Sequence, residues 1–163
     1  MARHLLLLAA IQAALPYAAL AEPAPVPRAA PAPGLLGAAI NVADVQKEVD
    51  FYTKGLGWRV ATTLDLGSRS ETILMYGDNP AGASILLMHD KNPDASAIIA
   101  HGNGFSRLVI RVSDLAEIAD RLDAQGYPHE QIRSAAMGVR IMLLNDPEGF
   151  KIELVEQPAK GTP

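Results

Sequence analysis

The sequence contains an internal repeat that constrains the fold more than any other feature. Two short segments match in residue type at a constant offset of 70 positions, with Ile40, Val42, Asp44 and Val45 corresponding to Ile110, Val112, Asp114 and Leu115. In each copy an alternating apolar pattern predicts a strand, and the aspartate after it begins a helix. Three more strand patterns follow each helix. Repetition at this spacing indicates a duplicated βαβββ unit rather than a short-period solenoid.

The predicted elements follow the same order in both copies. In the first, the strand that ends at Val42 precedes a helix from Asp44 to about Gly55, and three strands follow over Trp58–Leu66, Glu71–Tyr76 and Ala83–His89. In the second, the strand Leu108–Val112 precedes a helix from Asp114 to Gly126, with strands near Gln131–Ser134, Val139–Asn145 and Phe150–Glu156. Gly67–Ser70 is predicted as a turn. We therefore predict an α+β fold of two tandem modules, at about residues 35–100 and 104–157.

The first 34 residues differ in composition from the rest of the chain. Arg3, the apolar run Leu5–Leu15 and the small residues of Ala19-Leu20-Ala21 have the layout of a secretory signal peptide, cleaved after Ala21. The apolar run is too short to cross about 30 Å of hydrocarbon. Residues 22–34 are rich in proline and alanine, which favours an extended linker. We expect a secreted or periplasmic protein without a membrane anchor, a domain over residues 35–157 and a tail over 158–163.

The composition excludes several classes of function. The chain has no cysteine, so disulfides, thiolate metal sites and cysteine nucleophiles are ruled out. Its formal net charge of −4 provides no general basic field, and we expect no nucleic-acid partner. Neither a phosphate-binding glycine fingerprint nor the zinc-protease pattern HExxH occurs. The remaining expectation is a small-molecule ligand.

Two strings resemble the vicinal oxygen chelate superfamily. They are INVADVQKEVDFYTKGLGW at Ile40–Trp58 and NDPEGFKIELVE at Asn145–Glu156. The superfamily contains glyoxalase I, the bleomycin-resistance proteins and the extradiol dioxygenases, and the FYTKGLG segment is most similar to the glyoxalase I (lactoylglutathione lyase) branch. The resemblance implies that the two modules form a U-shaped mixed sheet with a concave ligand cavity. It also implies an enzyme metal site built from four side chains, two from each module.

The FYTKGLG and DPEG segments of these strings are interpreted mostly as fold markers. Phe51 and Tyr52 are expected to pack the first helix against the sheet. Asp146–Gly149 has proline second and glycine fourth, which predicts a type I turn before the last strand.

The metal positions that the resemblance implies are mostly occupied by residues that cannot bind a metal. They fall on Gly37, Leu86, Arg107 and Glu153, of which Glu153 alone offers a ligand oxygen. We therefore expect neither a metal nor another cofactor, with a divalent metal kept only as the alternative. A substitute site formed by His89, His101 and Asp90 stays open.

Alternation along the strands predicts which side chains face the cavity. Positions with the parity of the ligand positions should face it: Gly37, Ala39, Asn41, Ser84, Leu86, Met88, Arg107, Val109, Arg111, Lys151 and Glu153. The opposite parity should pack against the helices: Ala38, Ile40, Val42, Leu108, Ile110, Val112, Ile152 and Leu154. The candidate ligand-binding residues are Asn41, Ser84, Met88, Arg107, Arg111, Lys151 and Glu153.

Two functions follow from this arrangement. We expect Arg107 and Glu153 to face each other across the module junction, with the guanidinium holding an anion where the metal is missing. A structural Arg–Glu pair is the alternative.

The first function is an exported protein that binds a small, anionic organic molecule without a metal. The second is a lyase or isomerase similar to lactoylglutathione lyase, acting on a carbonyl or thiohemiacetal, with Glu153 as base and Arg107 as electrophile. Whether the chain is an enzyme and whether it forms a homodimer stay open.

Overall fold

The first module begins with a strand and a short helix. The computed structural model describes residues 34–77, 82–92 and 98–158. Strand β1 (Gly37–Val42) leads into helix α1 (Val45–Asp50), which Asp44 caps by accepting a hydrogen bond from Lys47 N at 3.0 Å. A π-helical segment, Phe51–Gly55, continues α1. Strands β2 (Trp58–Asp65), β3 (Arg69–Tyr76) and β4 (Ser84–Asp90) complete the module.

The second module repeats this order. Strand β5 (Leu108–Val112) precedes helix α2 (Leu115–Gln125), whose first turn is capped by Asp114 and which ends at Gly126 in the left-handed conformation (φ 73°). Strands β6 (Arg133–Ser134), β7 (Arg140–Asn145) and β8 (Lys151–Glu156) follow. A single 3₁₀ turn, Ala136–Gly138, joins β6 to β7.

The described strands form two four-stranded mixed sheets with the same topology. The strand orders are β1-β4-β3-β2 and β5-β8-β7-β6. Ala39 pairs with Leu86 between parallel β1 and β4, and Val109 pairs with Glu153 between parallel β5 and β8. Since 39 and 109 differ by the repeat offset, the pairing confirms the duplication and places Leu86 and Glu153 at equivalent points. The α+β fold of two βαβββ modules is confirmed.

The core lies between the sheets and the helices. Six residues of the predicted helix-facing set are buried, and Ala38 and Ile110 pack against them partly buried. The buried six are Ile40, Val42, Leu108, Val112, Ile152 and Leu154. Phe51 and Tyr52 are fully buried, as expected for residues that anchor the first helix. The predicted face assignment of β1, β5 and β8 is therefore correct for the core side.

Two local features differ from the sequence predictions. Arg69 and Ser70, predicted as part of a turn, begin β3, where they pair with Asp90 and His89 of β4. The turn is shorter because the antiparallel ladder of β2 and β3 continues to Asp65 and Ser70. The π-helical segment at Phe51–Gly55 was also not predicted.

The predicted signal peptide and most of the predicted linker and tail lie outside the described residues. No helix within the described ranges is long and apolar enough to cross a membrane.

Candidate functional site

The exposed face of the second sheet brings together the charged residues predicted from its strands. Glu153 lies on β8 between Val109 of β5 and Leu143 of β7. Lys151 lies two residues earlier on β8 and pairs with Asn145. Because side chains two apart on a strand share a face, Lys151 and Glu153 project to the same side of the sheet.

Arg107 and Glu153 form an ion pair. Arg107 Nη1 donates to Glu153 Oε2 at 2.7 Å. Both residues belong to the second module, so the expectation that they meet across the module junction is wrong: the parallel pairing of β5 with β8 brings them together within one sheet. The side chains are 41% and 22% exposed, so the pair is open to solvent and to a ligand.

A cavity of about 420 Å³ lies beside this ion pair. Its walls combine the ends of β7 and β8 with the segment that follows α2. The lining residues are Arg107, Pro128, His129, Glu130, Leu143, Leu144, Asn145, Lys151 and Ile152. Four of the nine are apolar and five are polar or charged, so the cavity can offer both apolar contact and charged groups to a small molecule.

Lys151 is a lining cation of this cavity without a partner in the described ranges. His129 lies 3.3 Å from Asp123, and Glu130 lies 3.2 Å from Arg133. Lys151 has no hydrogen-bond or ion-pair partner among the described residues. Arg107 uses one terminal nitrogen on Glu153, which leaves guanidinium donors available. The cavity can therefore offer two cationic donors to an anion.

The segment Pro128–Glu130 was missed by the sequence analysis. It forms a wall because His129 bridges to Leu144 and Glu130 N donates to Leu143 O at 2.8 Å. Both contacts pair a loop with a strand of the same module, and no periodic pattern marks the loop. Of the predicted residues, Arg111 is absent from this cavity and pairs with Val155 further along β5.

The equivalent face of the first sheet has no room for a side chain at Gly37, where β1 begins. A Cβ atom placed on Gly37 would lie 2.3 Å from the carbonyl oxygen of Ser84 and 2.8 Å from a methyl of Leu86. Ser84 is buried, Met88 is half-buried, and Asn41 lines a different cavity beside β1. The structure thus does not gather the seven predicted ligand-binding residues in one place.

A buried polar cluster joins the two modules. Tyr52 OH donates to Asp146 Oδ2 at 3.2 Å, and Glu148 N donates to Glu48 Oε1 at 2.8 Å. Glu148 in turn accepts from the backbone N–H groups of Ala43 and Asp44 at 2.9 and 2.8 Å. We call Glu48, Tyr52, Asp146 and Glu148 the joint. Its members come from the two strings that carried the resemblance.

Two carboxyl groups of the joint, those of Glu48 and Asp146, have raised pKa values. Burial, reinforced by the negative charge of Asp146, raises the pKa of Glu48 from 4.5 to about 8. Burial also raises the pKa of Asp146 to about 6, although hydrogen bonds from Phe150 N and Tyr52 oppose the shift. The second carboxyl oxygen of Glu48 is buried and has no hydrogen-bond partner among the described residues. This cluster lies in the core, so we assign it to folding rather than to ligand binding.

Comparison with known proteins agrees with this architecture. The profile of the Glyoxalase/Bleomycin resistance protein/Dioxygenase superfamily matches residues 34–154, which span both modules. The chain belongs to this superfamily. The matched range includes all four residues of the joint.

Curated relatives within the superfamily are named as lyases. The chain is 29% identical over 130 residues to a probable lactoylglutathione lyase of Synechocystis, covering 77% of this chain and 97% of that protein. It is 27% identical over 131 residues to the lactoylglutathione lyase of Escherichia coli O157:H7, covering 78% and 95%.

Solved structures show the same fold. The glyoxalase I of Leishmania major superposes with a TM-score of 0.64 at 22% identity, covering 77% of this chain and 88% of that one. Glyoxalase I from Zea mays gives a TM-score of 0.67 at 20% identity, covering 76% and 44%.

The residues at the superfamily's metal positions do not fit a divalent ion. Gly37 and Leu86 have no donor atom, and a catalytic site needs about three protein ligands. Arg107 cannot act as a metal ligand, and its Nη1 already donates a hydrogen bond to Oε2 of Glu153. The substitute site considered from the sequence is also not assembled: His89 contacts Val42 O at 3.3 Å and His101 contacts Glu148 O at 2.7 Å. Over the described ranges, no three His, Asp or Glu side chains are grouped to hold a metal.

Proposed function

We propose that this chain is an exported member of the superfamily that binds a small organic anion in the cavity of its second module, without the divalent metal of the glyoxalase I enzymes. The observation that carries the proposal is the pairing of Arg107 with Glu153 at two of the superfamily's metal positions. Export rests on the N-terminal sequence pattern alone, and its test is whether the mature protein in the periplasm or medium begins at Glu22.

The charges of the cavity favour an anion with one or two oxygens in a plane. A guanidinium presents several N–H donors in a plane and matches a carboxylate better than an ammonium does. Lys151 adds a second cation on the same face, the Glu130 carboxylate in the lining is paired with Arg133, and four lining residues are apolar: Pro128, Leu143, Leu144 and Ile152. The ligand class is therefore a carboxylate carried on an apolar body of modest size.

The test is calorimetric titration of the purified mature protein with benzoate and with lactate, after treatment with a chelator. We expect binding of at least one carboxylate, and a loss of at least tenfold in affinity for Arg107→Ala and for Lys151→Met. Lys54→Met removes an exposed lysine that pairs with Asp50 elsewhere and is the matched control. Equal affinity in Arg107→Ala and wild type, or one equivalent of tightly bound divalent metal in the purified protein, would overturn the proposal.

A lyase or isomerase is the second candidate, because the curated relatives are named lactoylglutathione lyases. Glu153 would be the base and Arg107 would stabilise the enolate oxygen. The contact of Arg107 with Glu153 disfavours this function, since the cation lies on the oxygen that should accept the proton. Turnover of the hemithioacetal of methylglyoxal and glutathione, lost in Glu153→Gln, would replace the first proposal with this one.

A further inference from the structure

A second cavity adjoins the one beside the ion pair. Its volume is about 340 Å³, and Lys151 lines both spaces, so they meet at the first residue of β8. The described residues that line the second cavity come from the segments just before β5 and β8, and none belongs to β1. We call it the aromatic cavity, because the rings of His101, Phe105 and Phe150 form part of its wall.

The ring wall of the aromatic cavity is held by contacts within the protein. His101 Nε2 contacts the carbonyl oxygen of Glu148 at 2.7 Å, and the His101 ring meets Phe150 edge to face at 4.5 Å. Gly149 makes room for the imidazole, since a Cβ there would lie 3.3 Å from His101 Nε2. Phe105 lies 6.3 Å from Phe150 and is 52% exposed. Phe105 therefore offers uncovered ring surface beside two rings that are already in place.

The charge of the aromatic cavity is positive. Lys151 carries a full positive charge, and none of the described residues that line this space is acidic. The second cation lies close by, because Arg107 Nε contacts Ser106 Oγ at 3.5 Å and Ser106 lines the aromatic cavity. Arg107 and Lys151 thus lie at the boundary between the two spaces. An anion held by both cations can direct the rest of its structure into either one.

The two cavities differ in what they offer to the body of such an anion. The first has aliphatic side chains and the carboxylate of Glu130, which repels an anion. The aromatic cavity replaces these with rings and with the neutral polar groups of Asn103 and Ser106. Edge-to-face and offset contacts between rings stabilise by more than the burial of apolar area alone. A flat aromatic body is therefore favoured in the aromatic cavity over an aliphatic body in the first.

We propose that the ligand is an aryl carboxylate, with its carboxylate at Arg107 and Lys151 and its ring in the aromatic cavity. The inference rests on the proposed function, since it uses the same two cations, and it adds the class of the ligand and the place of its ring. The ring packs against Phe105, the exposed member of the wall. The protein should consequently distinguish an aromatic acid from a saturated acid of the same length.

The test compares phenylacetate with cyclohexylacetate, which have the same chain length and differ in the aromaticity of the ring. In calorimetric titrations of the purified protein, phenylacetate should bind at least about threefold more tightly. In the ¹⁵N-labelled protein, phenylacetate should shift the amide signals of Asn103, Phe105 and Ser106. Equal affinities for the two acids, or shifts confined to His129 and Glu130 of the first cavity, would overturn the inference.

A variant of Phe105 isolates the contribution of the ring. Phe105→Leu keeps an apolar side chain but removes the ring, so it should abolish the preference for phenylacetate and leave the affinity for cyclohexylacetate within about twofold. Leu66→Ala is the matched control, because Leu66 is 51% exposed and lines neither cavity. It should keep the wild-type preference. A preference that survives in Phe105→Leu would contradict the assignment of the ring to this cavity.

Arg107→Ala separates this inference from the proposed function. It should weaken both acids at least tenfold, whereas Phe105→Leu weakens phenylacetate alone. If the two acids bind equally and both depend on Arg107, the inference fails and the proposed function stands. If neither acid binds, the inference fails, and the titrations with benzoate and lactate decide the proposed function.

Discussion

The two modules have the same backbone pairing and different chemistry on their exposed faces. At equivalent positions the first module has Gly37 and Leu86, and the second has Arg107 and Glu153. The first face has no room for a side chain at Gly37, while the second carries an ion pair beside a cavity. Of these four positions, only the two in the second module carry charged side chains.

The difference shows which constraints act on each part of the fold. The register of both sheets is set by the buried faces, where a shift by one residue would expose the core. The exposed faces have no such restriction, so their residues can diverge while the ladder stays intact. The joint is polar like the exposed faces but largely buried like the core. Its groups therefore need hydrogen-bond partners, and its residues cannot diverge freely.

The largest expected effect concerns the joint, because its hydrogen bonds connect the two modules. Glu48 has a folded-state pKa of about 8 against 4.5 unfolded, and Asp146 about 6 against 3.8. Both are raised, so the stability they contribute is fully present below pH 4 and is lost as pH rises to about 8. The free energy of unfolding should fall by a few kcal/mol over that range, measured by urea denaturation at fixed ionic strength.

Glu48→Gln provides the matched variant for this prediction. The amide oxygen can still accept from Glu148 N, but the side chain no longer titrates. The slope of stability against pH between about 6 and 8 should flatten, whatever the variant's absolute stability. An unchanged slope would mean that Glu48 is already ionised in the folded protein over this range and does not contribute to the pH dependence of stability.

The next effect concerns the closed face of the first module. Gly37→Ala places a methyl group against the Ser84 carbonyl, so we expect a loss of about 1–3 kcal/mol in the free energy of unfolding. Gly102→Ala is the control, because nothing lies within 4 Å of its Cβ position, and it should change stability by less than about 0.5 kcal/mol. Equal stability of the two variants would show that the first face can accept a side chain at this position.

The smallest effect concerns the ion pair of the second module. Arg107 and Glu153 are 41% and 22% exposed, so Arg107→Ala should lower the free energy of unfolding by less than about 1 kcal/mol. Thermal denaturation of the variant at pH 7 measures it. A loss above about 3 kcal/mol would identify the pair as a structural contact and would weaken its assignment to ligand binding.

The sequence was sufficient for the architecture because the relevant signals are local. Alternation and caps predicted most of the elements to within one or two residues, and the constant offset predicted the equivalence of the two ladders. The resemblance then implied that positions 37, 86, 107 and 153 correspond to the superfamily's metal positions. The meeting of Arg107 with Glu153 followed from counting along strands, although its location within one sheet did not.

The walls of both cavities could not be predicted in the same way. Pro128–Glu130 and residues 101–106 are loop segments that approach strands through tertiary contacts, and no periodicity marks them. The closure at Gly37 depends on the approach of the Ser84 carbonyl, which sequence patterns do not encode. The joint was equally hidden, because its hydrogen bonds connect residues 94 to 105 positions apart.

The joint also bears on how this lineage can be traced. Tyr52, Glu48, Asp146 and Glu148 all lie in the two strings by which the chain is recognised, yet none of them lines the cavity beside Arg107. The resemblance therefore rests on residues that connect the two modules. Membership of this superfamily can thus be read from the contacts that assemble the modules, independently of the side chains at positions 37, 86, 107 and 153.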